Sequence, residues 1–144
     1  MVSIRIVCVG NLKEKYWKDA IAEYGKRLSR FCNFEVIETP ESDPEKEKTA
    51  IMKHLQGYVF SLCVEGKQCT SVEFARKIEN VMQNDSKITF VIGGSDGLSE
   101  EVKKASSSRL SFSEMTFPHQ LIRVVLAEQI YRAFTINNNR TYHK

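Results

Sequence analysis

No window of this chain approaches the ~20 consecutive apolar residues that a membrane-crossing helix requires. The opening MVSIRIVCVG is strand-like, and no small-residue cleavage site follows it. A secretory signal is therefore not expected, and the expected location is the cytoplasm. Cysteine is sparse: Cys8, Cys32, Cys63 and Cys69 make no CxxC pair. The Cys63–Cys69 spacing does not suit a zinc knuckle, so these residues are read as small core or surface thiols in a reducing compartment. The three histidines, His54, His119 and His143, form no HExxH, and no metal is expected. The first strand ends in Gly10 alone, without GxGxxG, and no P-loop pattern exists. Neither charge dominates: 21 Lys and Arg face 18 Asp and Glu, a net charge of +3. That bias permits an anionic partner without demanding one. With no long basic stripe and no aromatic platform in the sequence, binding to free RNA is less expected than docking on a structured particle.

What is present is a regular alternation. The 144 residues, 42% apolar and 27% charged, suit one globular domain over 1–144. Strands are expected at Ser3–Val9, Phe34–Thr39, Tyr58–Val64, Lys87–Ile92 and Arg109–Ser113. A helix over Lys13–Phe31 places Trp17, Ala20, Ile21, Tyr24 and Leu28 on one face. Residues 41–50 are polar up to Ala50 and run into a short helix, with Asp43 as N-cap and Pro44 in the first turn. Thr70-Ser71-Val72-Glu73 is a capping box opening a helix to about Asn84. A short helix follows at Ser99–Ala105. The last helix, Pro118–Phe134, is apolar nearly all round, which requires burial on more than one side and makes it the candidate dimer surface. The pattern defines an α/β fold: a mostly parallel sheet with helices on both faces.

Ligands in such sheets sit beyond the carboxyl ends of the strands. Gly93-Gly94-Ser95-Asp96-Gly97 lies at such an end and fits GxSxG, the nucleophile elbow of serine hydrolases. Glu114 with His119, or Glu128 with His143, would supply a triad in the right order. The chain is short for that fold, however, and the pattern is loose. Glycines here also allow a backbone to approach a flat ligand. If the strands adjoin, Leu62–Gly66 and Ser111–Pro118 would join this loop around an apolar, backbone-lined pocket.

Three stretches carry a family likeness: FVIGGSDGLSEEV, then LSFSEMTFPHQLIRVVLAEQIYRAF, then the terminal Tyr142-His143. Together with the opening IRIVCVGNLKEKYW, they resemble the ribosomal large subunit pseudouridine methyltransferase H family, small enzymes of the SPOUT class. The resemblance implies a C-terminal trefoil knot, a homodimer and S-adenosylmethionine as cofactor. It implies methylation of ring nitrogen N3 of a pseudouridine in the helix 69 loop of 23S rRNA, on the assembled ribosome. By position, Leu62 and Gly94 match cofactor-contacting residues, and Ser113, Glu114, Met115, Thr116, Phe117 and Pro118 match the knot loop that wraps the adenosine. Gly94 is expected to lack a side chain because the ligand lies against it, leaving Ser95 as a turn residue.

Tyr142 and His143 match the family's catalytic tail. His143 is expected either to take the N3 proton or to contact the substrate. Arg123 is a candidate contact to substrate or partner subunit, with a salt bridge as the plain alternative. Arg140 and Lys144 are candidate phosphate contacts. His119 is read chiefly as a helix-start or knot-packing residue. The family's usual proline before Tyr-His is missing from Asn137-Asn138-Asn139-Arg140-Thr141, so a more mobile tail is expected. The competing functions are a non-catalytic ribosome-associated binding protein and a serine hydrolase acting through Ser95.

Overall fold

A computed structural model describes residues 1–144. Its elements run β1 (Ser3–Val9), α1 (Lys15–Leu28), β2 (Asn33–Thr39), α2 (Pro44–Met52), β3 (Tyr58–Gln68), α3 (Ser71–Met82), β4 (Lys87–Ile92), α4 (Glu100–Ala105), β5 (Ser108–Ser111) and α5 (His119–Asn137). The five strands form one sheet in the order β2-β1-β4-β3-β5, and every pairing is parallel.

Alternation along the strands builds two cores of unequal size. Ile4, Ile6 and Cys8 of β1, with Ile88, Phe90 and Ile92 of β4, face a cluster of 19 buried residues under α1, α3 and α5. Val7, Val9 and Val91 face the other way, onto a cluster of 6 closed by Ile51 of α2 and Val102 of α4. The larger face needs the longer helices. On that face α5 packs against both α1 and α3, which is why its sequence is apolar on more than one side. Leu126, Ala127, Ile130, Ala133 and Phe134 of α5 are all buried within the chain. The apolar surface expected to serve a partner is thus largely spent internally; Leu121, Val124 and Val125 remain half-buried.

The expected caps form. Asp43 accepts from the Lys46 amide at 2.9 Å. Thr70 and Glu73 exchange bonds of 3.1 and 2.8 Å in a complete capping box. The boundaries differ most at β3, which continues to Gln68 instead of stopping at Val64. Its pairing with β5 jumps register: Leu110 is matched with Leu62 and again with Lys67. Gly66 permits this, because a Cβ there would lie 2.7 Å from the Leu110 carbonyl carbon. β5 ends at Ser111, so Phe112 and Ser113, expected in the strand, belong to the loop that follows.

Candidate active site

β3 pairs with β4 on one side and β5 on the other, so the three strand ends singled out by the sequence adjoin. Beyond them lies a cavity of about 270 Å³. Leu62, Gly94, Ser113, Met115, Thr116 and Phe117 line it; Glu114 and Pro118, in the same loop, do not. The loop takes its shape from its serines: Ser111 Oγ donates to the Ser113 carbonyl, and Ser113 Oγ accepts from the Met115 amide, each at 3.0 Å. Met115 is 76% exposed, an apolar side chain held at the cavity mouth with no protein surface to cover it.

The Gly93–Gly97 stretch is a tight turn in which the Gly97 amide donates to the Gly94 carbonyl at 3.0 Å. Gly93 is sterically required, since a Cβ there would sit 2.5 Å from the Gly97 carbonyl carbon. Gly94 lines the cavity, and a Cβ there would make a tight contact with Val9 Cγ1 at 3.2 Å. Ser95 sits at the tip of the turn and does not line the cavity. Of the two acid–histidine pairs that could have completed a triad, His119 makes no hydrogen bond within the protein, and Glu128 and His143 both bond to Arg132. The serine-nucleophile geometry is absent.

Two nitrogen side chains face the cavity. Lys103 is held by Glu65, which leaves His119 as the one without a protein partner. Its Nδ1 is buried and unbonded. Its ring lines the cavity from the start of α5.

Arg123 overturns its expectation as a substrate contact. It is fully buried in α5, donating to Glu38 Oε2 at 2.8 Å and to the Val9 and Gly10 carbonyls at 3.1 and 2.8 Å. Glu38 also accepts from the Leu12 amide at 2.8 Å. The pair ties the ends of β1 and β2 to the last helix, and no RNA reaches it. An arginine one turn into a helix reads the same in sequence whether it points in or out.

The tail is placed, and not over this cavity. Asn139 adopts φ 55°, a left-handed conformation that asparagine tolerates, and the Arg140 amide donates back to the Thr135 carbonyl at 2.8 Å. The chain reverses and lies along α5. Tyr142 donates to Glu128 Oε1 at 2.5 Å and packs edge-on against Tyr131. Arg132 binds Glu128 Oε2 at 3.0 Å, lies over the Tyr142 ring, and contacts His143 Nδ1 at 3.0 Å. The Glu128 bond, then burial, pushes the Tyr142 phenol up to about 12. A guanidinium can only donate, so His143 Nδ1 accepts and the neutral ring carries its proton on Nε2. Sequence reading missed Glu128 as the tail's anchor and missed Arg132 altogether. Both are i and i+4 neighbours on the face that the tail covers, a spacing that by itself reads as an ordinary surface pair. Arg140 and Lys144 are exposed, in keeping with phosphate contact but without a partner in the chain.

Among solved structures, the fold resembles a probable methylase family protein from Haemophilus influenzae (TM-score 0.61, 16% identity, 99% of this chain and 71% of that one). It also resembles the tRNA (m1G37) methyltransferase of Aquifex aeolicus (TM-score 0.52, 13% identity, 90% and 69%). At such identities the likeness shows the fold alone, an α/β fold with a parallel sheet. The family model described as "Predicted SPOUT methyltransferase" matches residues 2–143. Ribosomal RNA large subunit methyltransferase H of Ligilactobacillus salivarius is 50% identical, over 99% of this chain and all of that protein. The protein of that name numbered 1 in Clostridium perfringens is 48% identical with the same coverage. The chain belongs to the ribosomal RNA large subunit methyltransferase H family of SPOUT methyltransferases.

Proposed function

We propose that this protein transfers a methyl group from S-adenosylmethionine to ring nitrogen N3 of a pseudouridine in the helix 69 loop of 23S rRNA, on the assembled ribosome and as a homodimer. The observation that carries the reading is the cavity at three adjoining strand ends. It combines apolar walls, the side-chain-free turn at Gly93 and Gly94, the Ser113–Phe117 loop and the unpartnered imidazole of His119. That combination suits a flat, hydrogen-bonding nucleoside carrying a short polar chain. A non-catalytic binding protein would have no use for it. The names of the half-identical relatives support rRNA as the substrate. The trefoil crossing is part of the same reading. A ribosomal substrate places the work in the cytoplasm. No helix is long and apolar enough to cross a membrane, and no cluster of His, Cys, Asp or Glu is arranged to hold a metal ion.

Bound in the cavity, the cofactor supplies an electrophilic methyl group on a sulfonium. The chain must align N3 with that methyl and favour loss of the N3 proton. With Nδ1 engaged by Arg132, His143 offers a donor and not a lone pair. It holds a substrate carbonyl through Nε2–H, and the Arg132 charge beside it favours the deprotonated imide. The proton leaves to water. Tyr142, kept protonated by Glu128, braces this pair.

Within one chain the tail cannot serve the cavity. His119 lines the cavity and Arg132 holds the tail, and thirteen residues of α5 put ~20 Å between them. A second copy supplying its tail to the first copy's cavity resolves the distance. The exposed Met115 and Phe117 and the half-buried Leu121, Val124 and Val125 are the surface that such a copy would cover.

The test is methyl transfer from labelled S-adenosylmethionine to ribosomes lacking the modification, mapped by mass spectrometry of 23S rRNA fragments. One methyl on the helix 69 pseudouridine is expected. Label elsewhere in the rRNA would refute the site assignment, and no transfer would refute the activity.

A further inference from the structure

Outside the cavity lies a groove of about 530 Å³ between the outward face of α3 and the β3–β5 edge of the sheet. Phe60 and Phe74 form its floor, both nearly fully buried. Around the rim stand Lys67 of β3, Arg76 and Lys77 of α3, and Arg109 of β5. Lys67, Arg76 and Lys77 enter no ion pair, and Arg109 reaches only the limit of one, 4.0 Å from Glu100. Lys77 lies 5.1 Å over the Tyr58 ring. The one carboxylate in the groove, Glu73, is turned to the Thr70 amide and closes the capping box. Four cations against one carboxylate is an excess equal to the net charge of the whole chain, +3, gathered on one groove. The sequence hides this, because the four come from three elements at separate points along the chain.

Such an excess, left unneutralised by the protein, calls for an anionic partner. The groove's place says which one. Leu110 lines both the groove and the cofactor cavity, so the two adjoin along β5. Resting on the rRNA reading above, the geometry points to this groove as the seat of the RNA sugar–phosphate backbone flanking the target nucleotide, with Lys67, Arg76 and Arg109 as its phosphate contacts. The contacts are sequence-independent: they hold the RNA in register beside the cavity while the cavity and the tail select the base. The buried Ser108 hydroxyl, which has no hydrogen-bond partner and lines the same groove, is a further polar group on that path.

The test compares wild-type protein with the triple variant Lys67→Gln/Arg76→Gln/Arg109→Gln. Lys77 is left in place because of its contact with Tyr58. A control variant, Lys18→Gln/Lys26→Gln/Arg30→Gln, removes as many cations from α1 and the turn after it. Each is assayed for S-adenosylhomocysteine affinity and for methylation of 70S ribosomes at several salt concentrations. The groove variant is expected to bind S-adenosylhomocysteine as wild type does. Its KM for ribosomes should rise about 10-fold or more, and its salt slope should flatten by about 2 to 3, near one per lost phosphate contact. The control should keep the wild-type KM and slope. An unchanged KM and slope in the groove variant would overturn the inference, as would an equal loss in the control. A wild-type protein that leaves ribosomes unmethylated would overturn the rRNA reading itself, a failure visible before any variant is compared.

Discussion

At the scale of single residues, the chemistry turns on which arginine does what. Arg123 and Arg132 lie on one helix, and of the two readings open for Arg123 the structure shows the salt bridge. Arg123 is sealed against Glu38 and two backbone carbonyls. Arg123→Ala should cost about 3 kcal/mol, at the lower end for a broken buried pair because Glu38 keeps some solvent. Denaturant unfolding should show that loss. Arg132 fixes the His143 tautomer instead. With His143 as donor, methylation should keep rising above pH 8 as N3 deprotonates; a rate that levels off below that range would contradict the donor role. His143→Ala should lower kcat by about 10²–10³-fold without weakening cofactor binding. Tyr142 gives a direct readout of tail docking. Its raised pKa means the docked tail holds the phenol proton more tightly than the free tail does. That contribution is complete below about pH 10 and is lost as pH rises through about 12. Absorbance titration of wild type against Tyr142→Phe should isolate a phenol titrating near 12, and Glu128→Gln should bring it down toward 10.

At the scale of elements, the strands and caps were legible in the sequence because their signals are local. Alternation gave β1 and β4, Asp43 and the Thr70–Glu73 pair gave the starts of α2 and α3, and the two glycines gave the turn after β4. What was not legible depends on contacts between distant segments. The extension of β3 to Gln68 follows from Gly66 lying against the Leu110 backbone, which no local pattern records. The apolar surround of α5 read as a dimer surface because its partners α1 and α3 are far away in sequence. The tail lacks the proline expected to stiffen it, yet Asn139 turns the chain back by adopting a left-handed conformation. Asn139→Val should strain that turn by about 1–2 kcal/mol, since a β-branched residue resists positive φ. Methylation should fall while S-adenosylhomocysteine affinity stays at the wild-type value.

At the scale of the molecule, one chain holds the cavity proposed for the cofactor at one end of α5 and the tail proposed to act on the substrate at the other. Mixed dimers test whether two copies join them. A subunit with Leu62→Arg, which fills the cavity, should be inactive alone, and so should a subunit with His143→Ala. Co-expressed, the pair should recover activity from the one intact composite site; no recovery would confine each site to a single chain. The cavity was legible in sequence as three strand ends, because parallel α/β sheets place ligands there. The proposed pairing with a partner's tail was not, because a single chain carries no sign of how its copies meet.

The most direct test of the account is the ¹H–¹⁵N spectrum of the protein titrated with S-adenosylhomocysteine. Saturable shifts at Leu62, Gly93, Gly94, the Ser113–Phe117 loop and the His119 ring, at one ligand per chain, are the predicted result. No binding, or shifts centred elsewhere with these residues unmoved, would contradict it.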